Sequence, residues 1–439
     1  MENQNVIKYS FMIVPFKMNK SIKESNLKNN DFFIEYKEDQ IRYEKLYKHI
    51  NNAIVFGNDN HSIEDYGINL EKYFPEWYKK ELTFKVEDKG YNVKGYLKEV
   101  ITYFFNSGIG FNVFFFVFDE KTSIDEYTEV INKLKKIDRD AIKFNIYSDD
   151  KAIGVYSILE EIKHKVGYDM DFFFQHNYKE YVSSTMLNSF TFDHEMEEYE
   201  IFNYLECLKR SQPESYGVVV NEDDYLHPFK NIYWGFSSQG IGNVNYCLEG
   251  QQEDFIKNFN QRVRREYLLM VLILLNQQFT LMDFCIDYTV LFNDKSSFDD
   301  KSVIAHTNRL YMFKVQNTYT VVSHLEHYRK FYKKLYEKLN IDDILKEVES
   351  KQDAIYARYE NEKRKQKERK EKLHNVWITL LSTLLSASLF ETIWNIFSEQ
   401  KWYVKFTAYV VYLIAIITTI VVLPKVLFGK SVKKDDDRK

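Results

Sequence analysis

VWITLLSTLLSASLFETIWNIF, Val376 to Phe397, runs for 22 residues with Glu391 as its single charge, and FTAYVVYLIAIITTIVVL, Phe406 to Leu423, follows with none. A helix crosses the ~30 Å hydrocarbon core of a bilayer with about 20 apolar residues. Both stretches are long enough. The spacing predicts two C-terminal transmembrane helices over 376–428, joined by the short Ser398–Lys405 loop. Upstream, no Gly or Pro interrupts 341–397, which predicts one helix of about 57 residues, ~85 Å long at 1.5 Å per residue.

Within that helix Leu345, Val348, Gln352, Ile355 and Tyr359 recur at heptad spacing before the chain turns wholly polar over Glu360–Lys372. A seam of this kind packs against another helix. Seven Lys or Arg lie between Lys363 and Lys372 and six between Lys425 and Lys439, against only Lys401 and Lys405 in the connecting loop. The excess of positive charge at both outer ends predicts a hairpin with both ends in the cytoplasm. The expected location is the inner, cytoplasmic membrane, with 429–439 as a basic cytoplasmic tail.

The rest of the chain reads as a cytoplasmic body. Its amino terminus, MENQNVIKYSFMIVPF, has a strand-like apolar run and lacks the basic n-region of a secretory signal. Composition excludes a disordered or collagen-like class, because 34 Tyr and 35 Phe accompany only 5 Pro and 14 Gly. Cys207, Cys247 and Cys285 are odd in number and far apart, so no disulfide framework or zinc knuckle is expected and a reducing cytosol fits best.

Short apolar runs at 6–16, 32–37, 53–56 and 82–86 predict strands, as do 142–147, 217–220 and 231–236. Lys94–Asn106 reads as a helix. GIGFNVFFFVFDE, Gly108–Glu120, reads as a strand covered on both faces, with helices following over 124–137 and 158–166. A further helix is expected over 194–209. These runs predict an α/β sensor domain over 1–250. Residues 251–340 predict a long-helix, stalk-associated region, whose segment Asp254–Val290 is too briefly apolar at Tyr267–Leu275 to span a bilayer and reads as a buried core helix. A second long helix is expected to carry Val321, Leu325, Tyr328, Tyr332, Leu335 and Leu339 on one seam, with a break at Asn340 before the stem helix of 341–375.

No catalytic motif is complete, and no enzymatic activity is expected. His194-Glu195-Met196-Glu197-Glu198 lacks a second His one turn on and reads as a solvated acidic helix. Gly429-Lys430-Ser431 has Pro424 where a phosphate loop needs its first Gly, and Gly240-Ile241-Gly242 reads as a turn between strands. Asp149-Asp150 and Glu222-Asp223-Asp224 are acidic pairs able to meet a divalent ion, although surface turns explain them better. Arg262, Arg264 and Arg265 offer a candidate phosphate-binding cluster, weighed against an ordinary cationic helix edge. In the first span Asn375, Thr379, Ser382 and Ser386 are spaced 4, 3 and 4 apart. They share one helix face, which in a symmetric bundle presents polar rings to a central pathway. The same register runs back through Lys372, Glu368, Lys365 and Asn361. The competing reading is that these hydroxyls bond their own helix carbonyls and pack closely.

HNVWITLLSTLLSASLF, the short loop and VVYLIAIITTIVVLPKVLF together resemble the CorA-type divalent-cation transporter superfamily. The resemblance implies a homopentamer with the first span lining the pore. Family members carry Gly-Met-Asn after that span, whereas Ile393-Trp394-Asn395 stands here, so only Asn395 matches. The altered signature and the aromatic body are similar to the branch associated with type III CRISPR defence. That branch implies a membrane effector opened by a nucleotide second messenger that joins S-adenosylmethionine to AMP. The alternatives are a magnesium transporter, with a divalent cation as cargo, and a membrane-anchored scaffold without transport.

Overall fold

The computed structural model describes residues 6–17, 31–35, 45–47, 66–86, 89–138, 145–148, 151–166, 175–176, 179–212, 221–238, 240–248, 253–293, 300–319, 321–396 and most of 401–414. The expected strands at 53–56 and 217–220, Asp149-Asp150 and the tail at 429–439 lie outside them. The chain divides into two compact units, Met1–Gln352 and Asp353–Lys439. The helices of 251–340 therefore share a unit with the sheet.

The strands are β1 (Val6–Lys17), β2 (Phe33–Glu35), β3 (Tyr66–Ile68), β4 (Leu82–Val86), β5 (Tyr91–Phe104), β6 (Ile109–Phe118), β7 (Lys136–Asp138), β8 (Asn145–Ser148) and β9 (Lys151–Ile153). They continue with β10 (Gln175–His176), β11 (Lys179–Ser183), β12 (Thr185–Phe192), β13 (Tyr225–Phe229), β14 (Ile232–Phe236) and β15 (Gly240–Tyr246). The main sheet runs β13-β14-β15-β12-β1-β6-β5-β4-β8-β9, with β3 joining β5 to β2, and β10-β11-β7 form a small second sheet. Only β12 and β15 pair in parallel; the other described pairs are antiparallel.

β6 is buried almost throughout because both faces of the sheet are covered. Phe114, Phe116 and Phe118 face one side with Met12, Val14, Tyr127 and Phe190. That layer is closed by α1 (Ile124–Leu134), α2 (Val155–Val166) and α3 (Glu198–Arg210). α1 begins where Ser123 and Glu126 bond each other's backbone N–H, a capping box written in the sequence as S-x-x-E. The opposite face is closed by α5 (Leu268–Asn293) and α7 (Glu326–Lys338), with Phe111 against Phe279 and Trp234 against Phe331. α4 (Glu253–Arg262) runs through a π-turn at Val263–Tyr267 into α5. Residues Leu268–Leu275 are all fully buried, as the short apolar core required.

Four readings are corrected. Lys94–Asn106 is not a helix but most of β5, because Val93, Gly95 and Leu97 alternate inward against exposed neighbours and the segment pairs with β3, β4 and β6. Tertiary pairing here overrides a helix-compatible composition. Gly240-Ile241-Gly242 is not a turn but the start of β15, buried between β12 and β14. The His194–Glu197 stretch precedes α3, which starts at Glu198, so His194 lies outside the helix with its Nδ1 2.8 Å from Asp193. The long helix expected through Val321 is two helices, α6 (Asp300–Asn317) and α7, because Ser323 bonds the Lys45 carbonyl and the Leu325 N–H and turns the chain. Val321 and Leu325 therefore fall outside the seam, while Tyr328, Tyr332, Leu335 and Leu339 are buried along it.

The glycines of β15 are dictated by α3. A Cβ on Gly242 would sit 2.8 Å from the Leu208 Cβ and 3.0 Å from the Lys209 backbone N, both on the helix laid across the strand. Gly242→Ala is expected to lower stability by about 1–3 kcal/mol, as over-packing of a filled core does. A shift of the thermal unfolding midpoint checks this.

Candidate functional site

The break expected at Asn340 is present: its φ is +51°, and its carbonyl accepts the Asp343 and Ile344 N–H groups that open the next helix. Asn tolerates this left-handed geometry better than most residues. The next helix, α8, runs unbroken from Ile341 to Ile396, 56 residues. Its seam is legible, with Val348 and Ile355 buried and Leu345, Gln352 and Tyr359 half-buried, whereas side chains from Glu360 to Asn375 are mostly exposed.

An unbroken helix puts Asn375, Thr379, Ser382 and Ser386 on one face. Asn375 and Ser382 are exposed, Thr379 is half-buried, and the Ser386 side chain lies outside the described residues. Thr379 Oγ1 donates to the Asn375 carbonyl at 2.7 Å and Ser382 Oγ to the Ile378 carbonyl at 2.8 Å. These are the own-helix bonds of the competing reading. They fix each hydroxyl against the carbonyl of the preceding turn. Asn395, the signature remnant, is exposed one residue before the end of α8.

The same stretch is lined with uncovered apolar groups. Trp377 is 58% exposed, Ile378 49%, Leu380 48% and Leu381 55%. Past the loop, the described residues of 402–414 are helical, and Trp402, Phe406, Val411 and Ile414 are also exposed. Full burial of one such side chain is worth about 1.5–3 kcal/mol. Consecutive large side chains left in water are therefore unfavourable for a folded chain. By length and composition, one helix among the described residues can cross a membrane, Asn258–Asn293, and 78% of its apolar window is buried inside the first unit. It is a core helix in position. The C-terminal segments lie partly outside the described residues.

The three arginines do not converge. Arg264 Nη2 bonds Glu99 Oε2 at 2.6 Å and its guanidinium lies 5.7 Å from the Phe115 ring centre, so it is committed to the sheet. Burial holds its pKa below the usual arginine value. Arg262 and Arg265 instead flank Glu266, whose carboxyl burial pushes up against the opposing pull of those two cations and Lys45. Glu266 Oε2, Tyr267 Oη, Tyr328 Oη and Trp234 Nε1 are buried with no hydrogen-bond partner among the described residues. Tyr267 meets Tyr328 edge to face at 5.0 Å and lies tilted against Trp234 at 4.6 Å. The His327 ring lies tilted against Tyr328 at 4.2 Å, and burial followed by the Arg262 charge lowers its pKa. Buried polar groups are normally satisfied, and π-turns recur at functional sites. The sequence marked this place only through its arginines. The aromatic floor is drawn from β14, the π-turn and α7, which nothing in the local sequence joins.

A buried charge cluster lies at the far edge of the sheet. Lys209 Nζ, with a fully buried side chain, meets Glu206 at 2.5 Å and Asp224 at 2.6 Å, and Asp224 also takes Lys338 at 2.5 Å. Asp224 is thus not a free surface turn. It ties α3 to the last turn of α7, two residues before Asn340. Burial pushes the Asp224 carboxyl up, but hydrogen bonds from Lys209 and Lys338 outweigh it and hold its pKa below the usual carboxylate range. A lowered folded pKa contributes stability that is complete above the unfolded value of ~3.9 and lost as pH falls through the folded one. The stability gap between wild type and Asp224→Asn is therefore expected at pH 7 and should close in acid below that range. Denaturation midpoints of both proteins against pH measure it.

Among the described residues, no group of three or more His, Cys, Asp or Glu is placed to hold a metal ion. Comparison with protein-family models, with curated proteins and with solved structures finds no match.

Proposed function

We propose that this chain is a homo-oligomeric, channel-like membrane protein of CorA type, a pentamer whose 376–428 hairpin forms the pore and whose body senses a small ligand. The observation that carries this reading is the exposure of Trp377, Ile378, Leu380 and Leu381, which a hydrocarbon surround would cover. The polar face beginning at Asn375 supplies oxygen acceptors along the same helix. α8 is covalently continuous from the sensor unit into the apolar stretch, so it is the element through which ligand and pore communicate. A bound ligand acts only through its differential affinity for the open and closed arrangements.

In this reading the ligand is taken near Arg262 and Arg265, beside the half-buried His327 ring. A nucleotide messenger combines an aromatic base with phosphates, and the imidazole and the cations supply partners for both. The setting is antiviral defence at the cytoplasmic membrane. The test is ion release from vesicles carrying the full chain, with and without an S-adenosylmethionine–AMP conjugate. Release that requires the nucleotide supports the proposal. Nucleotide-independent magnesium flux would point to a transporter, and absence of all flux to a sealed scaffold.

A further inference from the structure

β13 is the edge strand of the main sheet, and an irregularity in it turns Phe229 around. Tyr225 pairs with Gly235 and Leu226 with Trp234, but Phe229 pairs with Ile232, so a bulge lies at His227-Pro228. Side chains alternate along a strand. In unbroken register Phe229 would share the α3 face with Tyr225, whose ring meets Phe202 at 4.8 Å. The bulge moves it to the opposite face, that of Ile232 and Trp234, which α7 covers. Bulges re-aim side chains in this way, and an edge strand tolerates both the bulge and its proline.

Ile232 and Trp234 are fully buried on that face, whereas the Phe229 ring is left 40% exposed. Its centre lies 5.1 Å from that of His327, which in turn lies against Tyr328. Phe229 is therefore the open end of a file of rings that runs inward to Tyr267 and Trp234. Burial and then the nearby Arg262 charge hold the His327 pKa below its ordinary value, so this imidazole is uncharged at pH 7. Arg262 itself is exposed and has no ion pair among the described residues. An uncovered aromatic face stacks with a nucleobase of any sequence, and a guanidinium takes phosphate oxygens two at a time. The two halves of a nucleotide thus find their partners on either side of His327.

We infer that Phe229 is the stacking platform for the base of a mononucleotide whose phosphate is held by Arg262, with His327 beside the base. This assignment rests on the ligand site proposed above and not on how the hairpin meets the membrane. The test is equilibrium binding to the full chain in detergent, with AMP, adenosine and ribose 5-phosphate as probes. Phe229→Ala is expected to weaken AMP and adenosine by about tenfold or more and to leave ribose 5-phosphate unchanged. Phe229→Trp should bind AMP as wild type does. Arg262→Gln should weaken AMP and ribose 5-phosphate but not adenosine. A ring that merely packs on His327 would move the unfolding temperature without this split between probes. AMP binding unaltered in Phe229→Ala, or weakened there in step with ribose 5-phosphate, would overturn the platform. If wild type binds no AMP the platform falls as well. Ion release triggered by the S-adenosylmethionine–AMP conjugate would in either case keep the function proposed above, and its absence would remove both.

Discussion

Thr379→Leu and Ser382→Leu are each expected to reduce ligand-dependent ion release by at least about tenfold, equivalent to ~1.4 kcal/mol of added barrier. Each hydroxyl donates to a carbonyl one turn back, and in the proposed pore its oxygen would be the group presented to a passing cation. An isobutyl group removes that acceptor and lines the same ring with carbon, and apolar constrictions close pores by dewetting. The helix itself tolerates the change, since Leu is among the better helix formers and the lost bond is additional to the backbone ladder. Ser388 lies on the opposite face of α8, 13 residues from Asn375, and Ser388→Leu should leave release intact. Oligomer mass in detergent, measured alongside, separates a blocked pore from failed assembly. Unchanged release in both pore-face variants would end the assignment of this face.

Lys209→Met should destabilise the Met1–Gln352 unit by about 3–5 kcal/mol, the cost of removing one partner from a buried ion pair. The ammonium is fully buried, bonded to Glu206 and Asp224, and sits 4.7 Å from the Tyr225 ring centre. Methionine fills a similar volume, so little of the effect comes from a cavity. What remains is the Glu206 carboxylate, whose side chain is 1% exposed, with Tyr225 and the half-exposed Arg210 as partners. Adding Glu206→Gln removes the stranded charge and should recover part of the loss. Thermal unfolding of the single and double variants measures both quantities. A single variant as stable as wild type would mean that the cluster holds nothing together. Because Asp224 also holds Lys338 near the start of α8, the Lys209 variant is further expected to change the nucleotide concentration needed for ion release.

Local signals were read well where a single element explains itself. The break at Asn340 and the unbroken run from Ile341 both depend on neighbours within a few residues. The β5 misreading shows the limit. Lys94–Asn106 has charges at spacings that suit a helix, and only its pairing with β3, β4 and β6 makes the extended form the stable one. Gly240 and Gly242 looked like a turn for a similar reason, since the helix that requires them to lack side chains lies more than 30 residues upstream.

The sequence by itself determined the long C-terminal helix, the apolar stretch with its polar face, and the basic segment before it. Hydrophobic length, helical period and charge are properties of consecutive residues. Only the tertiary structure decided that Arg264 belongs to Glu99, that Arg262 and Arg265 border an aromatic floor with four unanswered polar atoms, and that Asp224 joins α3 to α7. Those groups meet across strands and helices far apart in the chain. A contact of that kind is set by the packing of both sheet faces, which no local window of sequence contains.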